Sequence, residues 1–162
     1  MTTLSKKNKR MSDELFKKAL NFVLKWEGGY VNNPNDKGGA TNKGITQSTY
    51  NSWLVSKGLQ RKDVKFISQK EVEDIYYKNY WLKAGCQKMS KIFAVLAFDT
   101  AVNMGVGRVQ EFLKAAQWKD PEKFIKAREE KYREFAKYGN QKIFLKGWLN
   151  RLNDLKIFIK KI

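Results

Sequence analysis

The sequence predicts a mainly α-helical protein with one short irregular or β element at about residues 30–46. Apolar residues recur at helical spacing over most of the chain, and the 162 residues include only two prolines. The segment VNNPNDKGGATNKGIT is instead dense in Asn, Asp, Gly and Pro, which favour turns. Because 42% of the residues are hydrophobic, a chain of this length can bury a sizeable core.

The first helix is predicted over 12–27, ahead of the turn-rich segment. Phe16, Leu20 and Val23 recur at steps of four and three residues, which is the spacing of one helix face. Gly28 follows and is expected to end the helix.

The later helices are predicted from similar patterns and from capping residues. Ser68 and Glu71 have the spacing of a capping box, and Asp120 followed by Pro121 is a favourable helix start. The segment from Ile92 is apolar nearly all round, which predicts a central buried helix. The predicted segments are about 47–56, 72–82, 92–104, 120–138 and 142–158.

The strong positive charge limits the kinds of partner. The net charge is +17 at pH 7, so a polyanion is expected nearby, whether nucleic acid, an anionic membrane or a cell wall with phosphate-bearing polymers. Charge alone does not choose among these three.

The absence of histidine limits the chemistry. With no His and only Cys86 as a thiol, the sequence excludes Ser-His-Asp and Cys-His catalysis and an intrachain disulfide. We expect no metal and no cofactor, because the usual zinc ligands are missing. Any hydrolysis must therefore rely on carboxylates.

Glu27 is the candidate catalytic acid. Advancing about 100° per residue from Phe16 places Glu27 on the centre of the apolar face of the first helix. Partial burial and the negative end of the helix dipole would both raise the pKa of such a carboxyl group. A carboxylic acid that stays protonated can donate a proton to the leaving oxygen of a glycosidic bond. The alternative is that Glu27 lies at the helix end and faces water.

Asp36 in the turn-rich segment is a candidate second carboxylate. Glycosidases commonly pair an acid with a carboxylate that positions water or stabilises developing positive charge. The alternative is that Asp36 is an ordinary turn residue in the run Asn-Asp-Lys-Gly.

The run WEGGYVNNPNDKGGATNKGIT resembles the signature of glycoside hydrolase family 108, the phage and bacterial muramidases. The resemblance implies a lysozyme-like, two-lobed helical fold and an endolysin-type enzyme that cuts the β-1,4 bond between N-acetylmuramic acid and N-acetylglucosamine. In that family the glutamate of the EGGY motif is regarded as catalytic, which assigns this role to Glu27. By the same likeness, Asp36 with Thr41 or Thr46 would hold the nucleophilic water. Asn33 stands where the family commonly has Asp.

Two later segments also resemble this family. FDTAVNMGVGRVQEFLKAA and FLKGWLNRLNDL are similar to the small helical peptidoglycan-binding module that follows the catalytic part. The resemblance therefore implies a basic tail at 1–11, a lysozyme-like part at 12–85 and a peptidoglycan-binding-like part at 86–162 within the same globule.

Three residues are candidates for substrate binding: Tyr30, Gly44 and Asn103. Tyr30 could stack on a sugar face, Gly44 lies in the turn-rich segment, and Asn103 lies one helical turn after Asp99 on the buried helix. For the polar pair on that helix, a buried network with Arg128 that joins the two lobes is favoured over direct substrate contact. By default Trp53, Trp81, Trp118 and Trp148 are expected in the core, although one or two of them could stack on sugar faces beside Tyr30.

The expected partners are peptidoglycan glycan strands and anionic wall polymers, and the expected state is a monomer. No apolar run of signal-peptide or membrane-span length is present. We therefore expect synthesis in the cytoplasm and action in the periplasm or on the wall after release or export.

Two other functions remain open at this point. A basic nucleic-acid-binding helical domain is suggested by the charge and by aromatics such as Tyr76, Tyr77, Tyr80 and Trp81, although no nucleic-acid motif is present and nucleic acid is not expected as a partner. A wall-binding protein without catalysis is the other alternative.

Overall fold

A computed structural model describes residues 2–162. Over these residues the chain forms seven α-helices and one two-stranded antiparallel sheet, which confirms the predicted fold class. The helices are α1 (Thr3–Glu27), α2 (Gln47–Ser56), α3 (Gln69–Tyr76), α4 (Lys91–Met104), α5 (Val106–Ala115), α6 (Pro121–Phe135) and α7 (Leu145–Ile159), and the strands are β1 (Thr41–Asn42) and β2 (Ile45–Thr46). Three 3-10 turns and one π-helical segment join them, at Val64–Phe66, Cys86–Lys88, Gly139–Phe144 and Tyr77–Leu82.

The chain divides into two compact units. The first unit ends at Asn79 and holds α1 to α3 with the sheet, and the second spans Tyr80–Ile162 and holds α4 to α7. The boundary drawn from the sequence lay a few residues later, between 85 and 86. No helix of the described residues has the length and hydrophobicity needed to cross a bilayer.

Helix α1 is longer than predicted. It begins at Thr3, so the described part of the predicted basic tail is helical, while Met1 lies outside the described residues. Lys and Arg are good helix formers, and Arg10 pairs with Glu14 one turn on at 3.6 Å. Only the second half of the helix has a buried face, which includes Phe16 and Leu20.

The helix ends where the glycine predicted it. Gly28 adopts a φ of 79°, and its N–H donates a hydrogen bond to the Leu24 carbonyl at 3.2 Å. A left-handed residue at this position turns the chain away from the helix axis and into the loop.

Capping residues set the starts of α2, α3 and α6. The Thr46 side chain accepts from the Thr49 N–H at the start of α2, and the predicted Ser68–Glu71 capping box is present at α3. Asp120 caps α6 as predicted. Three ends differ from prediction because local turns intervene: α3 gives way to the π-helical segment, α6 ends at Phe135, and the Gly139–Phe144 turn delays α7 to Leu145.

Helix α4 forms the core of the second unit, as its apolar sequence predicted. It is buried from Phe93 to Ala101, and α5 and α7 pack against it. Among the tryptophans predicted in the core, Trp81 is buried and Trp53 and Trp148 are half-buried. Trp118 departs from the default of core packing, because 54% of this residue is exposed.

A buried ionic network ties three helices of the second unit together. Asp99 on α4 pairs with Arg128 of α6 at 2.7 Å and with Arg151 of α7 at 2.9 Å, and all three residues are buried. The Arg128 guanidinium also donates to Thr100 Oγ1 and to the Tyr132 hydroxyl. The predicted Asp–Arg network thus exists, but the expectation that it joins two lobes is wrong, since every partner belongs to one unit.

Replacing Arg128 by Met should therefore lower the free energy of unfolding strongly. The change leaves a buried carboxylate with one of its two partners, and breaking a buried pair costs about 3–5 kcal/mol. Urea unfolding followed by circular dichroism measures the loss. Arg10→Met, which removes an exposed pair, is the control and should cost about 0.5 kcal/mol or less. Equal losses in both variants would contradict this role for Arg128.

Candidate active site

Glu27 is the last residue of α1 and is half-buried. Its position at the C-terminal end of the helix is fixed by the buried residues of the preceding turn, Phe22 and Val23. Because Gly28 ends the helix directly afterwards, the carboxyl group lies where the helix meets the following loop.

The loop returns to Glu27 through a tight hairpin turn. Strands β1 and β2 pair in the register Thr41↔Thr46, and Lys43 and Gly44 form the two-residue turn with φ values of 51° and 77°. Positive φ at both positions defines a type I′ turn, whose twist suits a hairpin.

Gly44 lies against the Glu27 side chain. A Cβ atom at Gly44 would lie 2.5 Å from the Tyr76 hydroxyl oxygen, 2.9 Å from Glu27 Oε2 and 3.1 Å from Glu27 Cβ. Real Cβ atoms do not approach other heavy atoms this closely without displacing them. Glycine is therefore required at this position both for the turn conformation and for the contact with the carboxyl group.

Tyr76 of α3 holds the turn in place. The residue is almost fully buried, and its hydroxyl donates a 2.6 Å hydrogen bond to the Lys43 carbonyl. Sequence reasoning did not identify Tyr76 as part of this site. A signal for Tyr76 was nevertheless available in the sequence. Tyr76 lies one helical turn after the apolar Val72 on a predicted helix, which indicates burial, and a buried tyrosine hydroxyl requires a hydrogen-bond partner.

A second set of hydrogen bonds anchors the hairpin through Asn42 of β1 and Lys43 of the turn. The buried Asn42 side chain donates to the Val64 and Lys65 carbonyls, each at 3.1 Å. The Lys43 ammonium group donates to Gln69 Oε1 at 3.0 Å. The turn beside Glu27 is thus held both by α3 and by the Val64–Phe66 segment.

Thr41 and Thr46 face each other across the hairpin. They form one pair of the strand register, and opposite residues of a strand pair share a face. The Thr46 hydroxyl also bonds to Thr49 Oγ1 at 3.0 Å, and the Thr41 backbone pairs with Val31. The structure thus brings both threonines into the hairpin whose turn contacts Glu27.

Asp36 lies on the exposed part of the loop and makes turn hydrogen bonds. Its Oδ1 accepts from the Gly38 N–H at 2.9 Å, and its own N–H donates to the Asn33 carbonyl at 3.0 Å. These are the contacts expected of an ordinary turn residue, which is one of the two interpretations of Asp36 from the sequence.

Tyr30 belongs to an exposed aromatic cluster. Tyr30 is 39% exposed and Phe66 is 74% exposed, and the Lys65 ammonium group lies over both rings, 5.7 Å and 5.9 Å from their centroids. Such a cluster offers flat ring faces and a cation to a ligand. Phe66 was not identified from the sequence.

Asn103 lies in the second unit and not with the residues around Glu27 in the first. Its side-chain oxygen accepts hydrogen bonds from the Tyr132 hydroxyl and from Arg128. These contacts extend the buried network around Asp99, and a substrate-binding role for Asn103 stays a prediction.

Helices α2 and α3 are joined by a tyrosine–carboxylate pair. Tyr50 donates to Glu71 Oε2 at 2.9 Å. Burial, helped by the hydrogen bond and the charge of Glu71, raises the pKa of Tyr50 to about 12. For Glu71, burial raises the pKa, but hydrogen bonds from Ser68 and Tyr50 outweigh this, and its net pKa lies below the usual value. Both residues stay hydrogen-bonded near neutral pH.

The helices and the two-stranded sheet of the described residues form a lysozyme-like fold. The Glycosyl hydrolase 108 family model matches residues 20–105, which include Glu27 and the whole hairpin. The chain therefore belongs to glycosyl hydrolase family 108, and it is a glycoside hydrolase of the kind that degrades peptidoglycan.

The fold is also similar to that of a solved structure, Brucella abortus SagA. The TM-score is 0.72 at 25% sequence identity, and the match covers 92% of this chain and 95% of that chain. A search of curated proteins found no match.

Replacing Gly44 by Ala should reduce both stability and peptidoglycan hydrolysis. The added Cβ meets the Glu27 and Tyr76 oxygens, and the left-handed φ disfavours any side chain. Thermal unfolding and clearing of a peptidoglycan suspension measure the two effects. Gly107→Ala is the control, since a Cβ there meets nothing within 4 Å and Ala favours the helix. If Gly44→Ala cleared peptidoglycan as fast as Gly107→Ala, the close contact with Glu27 would be of no consequence for the reaction.

Proposed function

We propose that the protein is an endolysin-type N-acetylmuramidase that cleaves the β-1,4 bond between N-acetylmuramic acid and N-acetylglucosamine. Glu27 is the general acid of this proposal. The observation that carries it is the contact between the half-buried Glu27 carboxyl group, at the end of α1, and Gly44 of the hairpin turn.

The proposed reaction begins with proton donation from Glu27. The proton passes to the glycosidic oxygen as the bond from this oxygen to the anomeric carbon breaks, and water completes the hydrolysis at that carbon. Proton donation requires the acid to be held at a fixed place relative to the sugar. The hydrogen bonds that Tyr76 and Asn42 donate to the backbone hold the turn against Glu27 and so support this role.

Asp36 and the hairpin threonines are proposed to hold the attacking water. Thr41 and Thr46 lie opposite each other in the hairpin, and Asp36 precedes them in the same loop. The Asp36 carboxylate is exposed and bonds to the Gly38 N–H through one oxygen, Oδ1, which leaves an acceptor at the second oxygen for water.

The substrate is proposed to contact exposed aromatic side chains and positively charged groups of the protein. The cluster of Tyr30, Lys65 and Phe66 can stack on sugar rings of the glycan strand, with Gly44 at the reacting bond. The net charge of +17 would keep the enzyme on anionic wall polymers. We propose that the second unit, including Asn103, contributes to binding of peptidoglycan, and that a monomer acts in the periplasm or on the wall after release or export.

Glu27→Gln should abolish hydrolysis with the fold retained. The amide keeps the shape of the side chain but cannot donate a proton to a leaving oxygen, and loss of general acid catalysis costs about 10²–10⁴-fold in rate. Clearing of purified peptidoglycan, with mass spectrometry of the fragments, is the measurement, and wild type should release fragments with N-acetylmuramic acid at the reducing end.

Glu14→Gln is the matched control, because Glu14 is an exposed residue of the same helix. It should hydrolyse as fast as wild type. Hydrolysis by Glu27→Gln at the wild-type rate would exclude Glu27 as the acid. If neither wild type nor the variant released fragments although both were folded, wall binding without catalysis or nucleic-acid binding would replace the proposal.

Asp36→Asn separates the two interpretations of Asp36. Asn keeps a side-chain oxygen for the Gly38 N–H, so the turn and the unfolding temperature should not change. The rate of fragment release should fall by about tenfold or more if the carboxylate holds the water. An unchanged rate would leave Asp36 with its turn role alone.

A further inference from the structure

Two cavities of the molecule lie away from the contact between Glu27 and Gly44, and their chemistry differs. A cavity of about 570 Å³ in the first unit has four carboxylates along its wall: Asp13, Glu71, Glu73 and Asp74. A cavity of about 410 Å³ in the second unit has no carboxylate among the described residues that line it, and Lys88 supplies its charge. Because Trp118 lines this second cavity, it is named the Trp118 cavity.

Trp118 stands at the edge of its cavity with 54% of its surface exposed. Tryptophan is mostly buried in folded proteins, and burial was the default expectation for Trp118 as well. An exposed indole next to a cavity therefore needs an explanation other than core packing.

The backbone that presents Trp118 is strained. Gln117 and Trp118 have φ values of 51° and 57°, which residues with a side chain rarely adopt. The Gln117 N–H donates to the Lys114 carbonyl and the Trp118 N–H to the Leu113 carbonyl, each at 3.0 Å, which is the pattern of a Schellman helix end. Glycine is usual at the first of these positions, and Gly58 occupies it after α2. After α5, Gln117 and Trp118 adopt the positive φ values instead.

The walls of the Trp118 cavity combine apolar and hydrogen-bonding groups. Phe93 and Leu113 are buried side chains that form the apolar part, and Met89 lies beside them. Lys88, Ser90 and Gln110 are exposed and supply an ammonium, a hydroxyl and an amide group. A flat aromatic face with a few polar groups around it suits a sugar ring, which has apolar C–H faces and a rim of hydroxyls.

We propose that the Trp118 cavity binds an N-acetylated amino sugar of the peptidoglycan glycan strand. The Trp118 ring stacks on one face of the sugar, and the Gln110 amide and the Ser90 hydroxyl bond to its acetamido and hydroxyl groups. The Lys88 ammonium group pairs with a carboxylate of the same strand. This inference rests on the proposed function, which identifies the strand as peptidoglycan. The site itself consists only of residues of the second unit.

Co-sedimentation with purified peptidoglycan sacculi tests the site. The Glu27→Gln protein is used as parent so that the sacculi are not degraded, and a high salt concentration screens the attraction due to the net charge. Adding Trp118→Ala should weaken binding about three- to tenfold, since the binding free energy of one aromatic contact corresponds to about this change in affinity. A soluble N-acetylglucosamine tetramer should compete with sacculi for the parent.

Tyr138→Ala is the matched control, because Tyr138 is an exposed aromatic of the second unit that does not line the cavity. It should bind like the parent. Equal binding by Trp118→Ala and the parent, or a failure of the tetramer to compete, would overturn the assignment of the cavity. Failure of the proposed function is detected separately, as the absence of fragment release from the same sacculi by folded wild-type protein.

Discussion

The first unit depends on one close approach, that of the Lys43–Gly44 turn to the end of α1. A side-chain atom at Gly44 would overlap Glu27 Oε2 and the Tyr76 hydroxyl, so the hairpin, α1 and α3 meet at one point. The Tyr76 hydrogen bond to Lys43 and the Asn42 hydrogen bonds to Val64 and Lys65 keep the turn there. A polar side chain can be held accurately only by neighbours that are themselves fixed, and here those neighbours are buried or hydrogen-bonded.

The second unit is organised by a different interaction. Asp99 is completely buried and pairs with two arginines, from α6 and α7, so that three helices share one ionic centre. Such a network is costly to desolvate and strongly destabilising when one partner is removed. The apolar surface of α4 supplies the burial, and the Asp99 network links α4 to α6 and α7.

Helices and caps could be predicted because their causes are local. Ser68 and Asp120 mark helix starts through side-chain hydrogen bonds within three residues, and the apolar spacing identifies the buried faces. The contact of Gly44 with Glu27 and the role of Tyr76 were not predictable, because both depend on distant segments meeting. Which tryptophan would leave the core was not predictable for a related reason, since hydrophobicity does not reveal that the backbone turns to the left-handed region at Gln117. The N-terminal extension of α1 lacks an apolar face, so the spacing of apolar residues could not predict a helix there.

That extension has a consequence for how α1 behaves. From Thr3 to Met11 every side chain is exposed, whereas Phe16, Ala19, Leu20 and Val23 are buried nearly completely. Local opening of a helix is governed by the burial lost, so the first turns can fray at little cost while the last turns open only together with the core. One continuous helix thus contains a labile cationic half and a rigid half, and Glu27 lies at the end of the rigid half.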